Sequence, residues 1–266
     1  MYSVSVREFP SAQLKIDRAN HHIGDVEARI NVFLKTNPCT LRAKHNPQTA
    51  HTEYLVEEVA EVDSIISLVI GDAVHNLRSA LDHLAVALVK DAGALPSKIT
   101  YFPIADSLGK YVSTALGQVN GISIADKTRI DGFKPYLGGD DRFWGLHRID
   151  IADKHNLILT QTQCMGGINY SVSEADAFAS LGFPNFLRAS PSIEKKSLLI
   201  PLVGPPFVPK KGEILFRFPG DTEKNEDMQP SFDIAFGDVE VFKGKQVLPS
   251  LRDLATLVQG TVNAFK

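Results

Sequence analysis

Cysteine is nearly absent from this chain: only Cys39 and Cys164 occur, far apart and in no CxxC arrangement. Neither a disulfide framework nor a cysteine metal site is implied, and a reducing cytoplasm fits best. Long apolar runs are missing as well. A run such as Ile65 to Ile70 is far short of a membrane span, and the opening MYSVSVREFPSAQ lacks a basic segment followed by an apolar core. The expectation is a soluble, unexported protein without a membrane partner. Charge of one sign is scarce: 28 Lys and Arg stand against 31 Asp and Glu, a formal −3, with no block to mark a nucleic-acid arm or a polybasic patch. Any partner must therefore be recognised locally. GxGxxG, GxxxxGK[ST] and GxSxG are all absent, which removes support for dinucleotide, nucleoside-triphosphate and ordinary serine-hydrolase chemistry. No cofactor is expected.

What is present is an ordinary hydrophobic content of 44% over 266 residues, enough for one large domain or two small ones. Apolar residues at spacings of three and four predict a helix over 11–35. Residues 39–45 and 52–58 flank the breaker NPQTA and predict a hairpin. Residues 62–90 carry no proline and one glycine, Gly71, and predict a single long helix. Helical segments follow at 107–116, at 123–135 behind a Ser123/Asp126 capping box, and at 142–155 behind Asp140 or Asp141. After His155 the texture changes to short apolar or alternating runs at 157–164, 197–203, 213–218 and 231–236, read as antiparallel strands. An exposed loop is expected over 220–230, and Pro249-Ser250 opens a final helix. The fold class expected is α+β. A helical region, 1–156, carries the polar residues, and a β region with a C-terminal helix, 157–266, follows, with one core shared by both as the alternative to two.

The stretch HNLRSALDH, residues 75–83, sets His75, Arg78, Asp82 and His83 inside an otherwise apolar helix. At about 100° per residue, Ile66, Val69, Ala73, Leu77, Leu81, Leu84 and Leu88 share one face. Asp72, His75, Ser79 and Asp82 share the other, with Arg78 and His83 at its edges. Leu68 and Val86 interrupt that polar face, so it is expected to be covered. Helix 142–155 repeats the arrangement in part: His147 and His155 have the same separation as His75 and His83, and Trp144, Asp150 and Lys154 lie on their side. Packed together, the two stripes would make a hydrogen-bonded layer in which each unpaired group costs roughly 1–3 kcal/mol. The candidate site is Arg78, His83, Asp82, His75, His147, Asp150 and His155.

Three chemistries suit such a layer. The bland one is structural: paired His and Asp groups and an Arg78–Asp82 contact that fix helix register without catalysis. A second is a single metal ion held between the helices by His75 and a residue of 142–155. His75 and His83 are about 12 Å apart along the axis, so one ion cannot take both. The third is metal-independent cleavage of RNA, in which Arg holds a phosphate bidentately and His moves the proton of a 2′-hydroxyl.

Arg78 followed by His83 resembles the Arg-x4-6-His signature of the HEPN superfamily, helical domains that include metal-independent ribonucleases of toxin and defence systems. The resemblance covers the helical first part of the chain. It implies His83 as general acid or base, Arg78 on the phosphate, Asp82 orienting a neighbour, RNA as partner, and a homodimer in which each protomer supplies one Arg and one His. Ser79 departs from the more polar residue usual after that Arg, and the C-terminal sheet has no counterpart in a minimal HEPN domain. The blocks GDAVHNLRSALDHLA and LHRIDIADKHNLIL also resemble those of a recurrent bacterial protein family, with similar forms in actinobacteria and phages, which implies no activity.

Overall fold

The segments with the clearest helical periodicity fold as helices within two residues of the expected bounds. A computed structural model describes residues 7–158, 160–172, 196–201, 206–219 and 229–266. Its helices are α1 (Pro10–Lys35), α2 (Ser64–Asp91), α3 (Leu108–Ser113), α4 (Ile124–Phe133), α5 (Asp141–His155) and α6 (Val247–Asn263). The strands are β1 (Cys39–Asn46), β2 (His51–Val59), β3 (Thr160–Val172), β4 (Lys196–Pro201), β5 (Ile214–Pro219) and β6 (Gln229–Phe236). The protein is α+β, with antiparallel sheet and a closing helix. Among the described residues no helix is long and apolar enough to cross a membrane.

Local chemistry sets the helix ends. Asp63 caps α2 by accepting from the Ile65 amide at 3.0 Å, and Asp140 caps α5 by accepting from Arg142 at 3.1 Å. Ser123 accepts from the Asp126 amide at 3.0 Å and its hydroxyl donates to the Asp126 carboxylate at 2.8 Å. The helix expected over 107–116 divides at Thr114 into α3 and a 3-10 turn, Ala115–Val119.

Two compact units result. One comprises Met1–Arg29, Asp63–Thr160 and Phe236–Lys266, the other Ile30–Val62 and Gln161–Ala235. This differs from the contiguous division expected at 156/157, because the hairpin 39–59 belongs with the strands and the final helix with the helices.

In the helical unit α2 is the central element. Its expected apolar face, from Ile66 to Leu88, is buried throughout, each large side chain contributing roughly 1.5–3 kcal/mol. Helix α1 runs antiparallel to it, with Lys15 Nζ donating to Asn76 Oδ1 at 3.3 Å. Helix α6 is antiparallel to α1, joined by Gln13–Gln259 at 2.9 Å and Arg252–Glu27 at 2.8 Å. Helix α5 packs antiparallel on α2 and brings Phe143 against Phe102 and Phe133, with ring centroids 5.7 and 6.1 Å apart. Gly145 of α5 lies under Phe242, since a Cβ there would sit 2.5 Å from the ring. No larger residue fits without moving the short turn Glu240–Phe242.

In the other unit β1 and β2 form the expected antiparallel hairpin, turned by Ala50 at φ 52°. The single expected sheet becomes two, ordered β1-β2-β5 and β4-β3-β6. The hairpin leaves an open edge on β2, and β5 fills it antiparallel, with Tyr54 stacked on Phe216 at 4.7 Å and Glu53 paired to Arg217 at 3.1 Å. Strand β3 begins at Thr160, later than expected. Of the loop expected over 220–230, residues 220–228 lie outside the described residues and Gln229 and Pro230 begin β6. Both cysteines are buried and free, and burial pushes the Cys39 thiol up to about 11.

Candidate functional site

Helices α2 and α5 meet along a line set by Gly71. A Cβ on Gly71 would lie 2.1 Å from Asp153 Oδ1, so the bare glycine backbone makes room for that carboxylate. One turn along α2 and one turn back along α5, His75 Nδ1 meets Asp150 Oδ1 at 3.0 Å. Asp150 is buried, its side chain 4% exposed, and its other oxygen accepts from Lys154 Nζ at 2.6 Å. His75 and Lys154 are each about half exposed, at 52% and 53%. A buried anion thus holds two groups that solvent can reach. The polar face of α2 is therefore open at His75 rather than covered, and Asp72 beside it is exposed as well.

The tautomer follows from the partner. A carboxylate oxygen can only accept, so Nδ1 carries the hydrogen and the neutral ring presents its lone pair at Nε2. Ser79 Oγ lies 3.4 Å from that Nε2, one turn further along α2. Asp153 has its carboxyl pushed up, first by burial and then by the charges of Asp150 and Asp72.

Arg78 serves a second cluster. It is buried, one terminal nitrogen donates to Asp82 Oδ1, and the other donates to the Phe102 carbonyl at 3.2 Å. Asp82 in turn accepts from the Phe102 amide at 2.9 Å. Both backbone groups of Phe102 are thereby fastened to α2. Burial raises the Asp82 carboxyl even with the Arg78 charge beside it opposing the shift.

His147 stands next to both clusters. Its Nδ1 is buried without a hydrogen-bond partner. Burial, and next the charge of Arg78, lower its pKa to about 4. A folded value below the ordinary 6.5 means that its contribution is fully present above pH 6.5 and is lost as pH falls through 6.5 towards 4. Discounted for the ring's partial solvent access, this contribution is about 2 kcal/mol. The expected result is a urea midpoint, followed by the fluorescence of the sole tryptophan, that falls more steeply with acid in the wild type than in His147→Gln. Parallel curves would show that His147 is not the group responsible.

The remaining candidates lie apart. His83 is half-buried and makes no hydrogen bond or ion pair among the described residues. His155 is exposed and lies about 140° around the α5 axis from Asp150. It borders a cavity of about 470 Å³ floored by Ile149, Ile158 and Phe242. The register that sets His75 against Asp150 and Gly71 against Asp153 keeps the two histidine pairs of equal separation from matching His to His. Trp144 donates Nε1 to Asp106 at 3.0 Å, and the Arg148 guanidinium lies 5.8 Å from its ring centre. Asp153 and Ser79 were not among the expected site residues. The single glycine of α2 signals the first, and the i, i+4 spacing from His75 signals the second. Among the described residues no three His, Cys, Asp or Glu side chains converge as a metal-ligand group.

These elements define an α+β protein whose helical unit carries an open histidine–carboxylate site between two antiparallel helices. No protein-family model matches the chain, nor does any curated protein or solved structure.

Proposed function

We propose that the α2–α5 face cleaves RNA without a metal, with His75 as the general base. The 2′-hydroxyl gives its proton to His75 Nε2, the 2′-oxygen attacks phosphorus, the P–O5′ bond breaks, the 5′-oxygen takes a proton from water, and the hydroxide left takes the proton from His75. Lys154 balances the charge that gathers on the phosphoryl oxygens. The observation that carries this reading is the buried Asp150 carboxylate bonded to both His75 and Lys154. It orients the ring, fixes its tautomer and places a cation beside it. Half-buried Lys15 of α1, bonded to Asn76 next to His75, adds positive charge for a polyanion.

This reading moves the chemistry from the pair Arg78 and His83 to His75 and Asp150. Arg78 would have to give up Asp82 and Phe102 to hold a phosphate, whereas His75 already faces solvent. A structural role for Arg78 and Asp82 is favoured by the same bonds. His75 and Asp150 belong to one chain, so the site needs no second copy. The homodimer implied by the HEPN resemblance belongs to the Arg78–His83 alternative.

The test is incubation of mixed cellular RNA, in excess chelator, with wild type, His75→Ala and His83→Ala. Wild-type cleavage should fall on the order of 10²–10⁴-fold in His75→Ala and persist in His83→Ala. Loss in His83→Ala alone would return the chemistry to the Arg78–His83 pair. RNA left intact by the wild type would overturn the ribonuclease reading.

A further inference from the structure

Ser79 has no part in RNA cleavage, where the attacking oxygen belongs to the substrate, yet its hydroxyl is on the atom that does the work. Its Oγ is 3.4 Å from His75 Nε2, and His75 Nδ1 is 3.0 Å from the buried Asp150 carboxylate. Hydroxyl, imidazole and carboxylate thus form one chain in the order that nucleophilic catalysis requires, with the base between nucleophile and orienting acid. The tautomer sets the direction: Nδ1–H donates to Asp150, leaving Nε2 to accept from the serine. The GxSxG turn is absent from the sequence, and these three groups come instead from adjacent turns of one helix and the facing helix.

We infer that Ser79 is a nucleophile activated by His75 and Asp150, and that this face takes activated acyl esters approaching from solvent. The inference shares His75 and Asp150 with the RNA reading but does not rest on it. In the acyl step Oγ bonds to the ester carbonyl carbon and its proton passes to His75 Nε2. The C–O bond to the leaving alcohol breaks, and the alcohol leaves with that proton. Water then attacks the Ser79 ester, losing a proton to His75, and the carboxylic acid and free serine are regenerated. Ser79 is half-buried on α2 while His75 stays half exposed, so a small or extended ester has access without any part of the helical unit opening.

A fluorophosphonate probe reads the proposal directly. Its P–F bond breaks as Oγ bonds to phosphorus, and fluoride leaves while the serine proton goes to His75. The full-length protein is incubated with the probe, and the modified peptide is identified by mass spectrometry. The expected result is near-stoichiometric label on Ser79, absent in Ser79→Ala and reduced at least 100-fold in rate in His75→Ala. Folding of each variant is checked by its circular dichroism. No label on Ser79, under conditions that label a control serine hydrolase, overturns the proposal, and so does an equal labelling rate in His75→Ala. The RNA reading fails separately: RNA left intact by a wild type that still labels at Ser79 overturns that reading alone.

Discussion

Arg78→Ala should be the most destabilising single substitution in the polar layer, at about 3–5 kcal/mol, the range for breaking a buried ion pair by removing one partner. Two losses combine. Asp82 keeps its half-buried position and its bond to the Phe102 amide but loses its cation, and the Phe102 carbonyl loses its donor. The segment around Phe102 is then held on α2 only by the Asp82–amide bond and its apolar contacts, chiefly the stack on Phe143. The loss has a pH signature. Burial already raises the Asp82 carboxyl, and without Arg78 it rises further. A carboxyl raised in the folded state contributes stability below its unfolded pKa, and that contribution is lost as pH rises through the folded value. The deficit of Arg78→Ala should therefore be largest near neutrality and shrink as pH falls towards the carboxylate range. Urea midpoints measured across that span, with wild type alongside, check both size and slope. A deficit under about 1 kcal/mol together with lost RNA cleavage would contradict the clamp and favour a phosphate contact for Arg78.

Much of this site is visible in the sequence because helices are periodic. The stripe of His75, Ser79 and Asp82 on α2 and the stripe of His147, Asp150 and Lys154 on α5 follow from spacing alone, as does the buried face from Ile66 to Leu88. Which stripe residues meet depends on the direction of packing and on the closeness of the backbones. Antiparallel packing in this register sends His75 to Asp150 and separates His83 and His155 from them. Gly71 sets the approach, and a lone glycine in a long apolar helix is readable as a contact point only when its partner, Asp153, is known. The Arg78 cluster hides for another reason: its third member is the backbone of Phe102, which leaves no pattern in side-chain type. The strands show the same limit. Alternation in β5 marks a half-buried face but says nothing of the hairpin edge it joins. Hence one sheet was expected and two formed.

Asp150→Asn should leave the fold nearly intact and remove most of the chemistry. The amide matches the carboxylate in size, and the ion pair it abolishes is with Lys154, whose side chain is 53% exposed, so the stability change should stay within about 1 kcal/mol. The effect on His75 is larger. An asparagine can turn its NH2 towards Nδ1, which then accepts, and the hydrogen moves to Nε2, the atom that must take the proton. Asp150 acts through His75 and is a positioning residue, so the decisive readout is the ring itself. The ¹⁵N shifts of His75 should change from the Nδ1–H to the Nε2–H tautomer. Both RNA cleavage and labelling of Ser79 should then fall on the order of 10³-fold or more, since a base with the wrong tautomer is inactive rather than weakened. The loss should appear in kcat with KM little changed, because the proton moves only in the transition state. If the tautomer switches and both activities stay, His75 is not the base. If the tautomer stays as Nδ1–H and both activities fall, the loss lies in the missing charge beside Lys154, and the buried carboxylate works by electrostatics rather than by orientation.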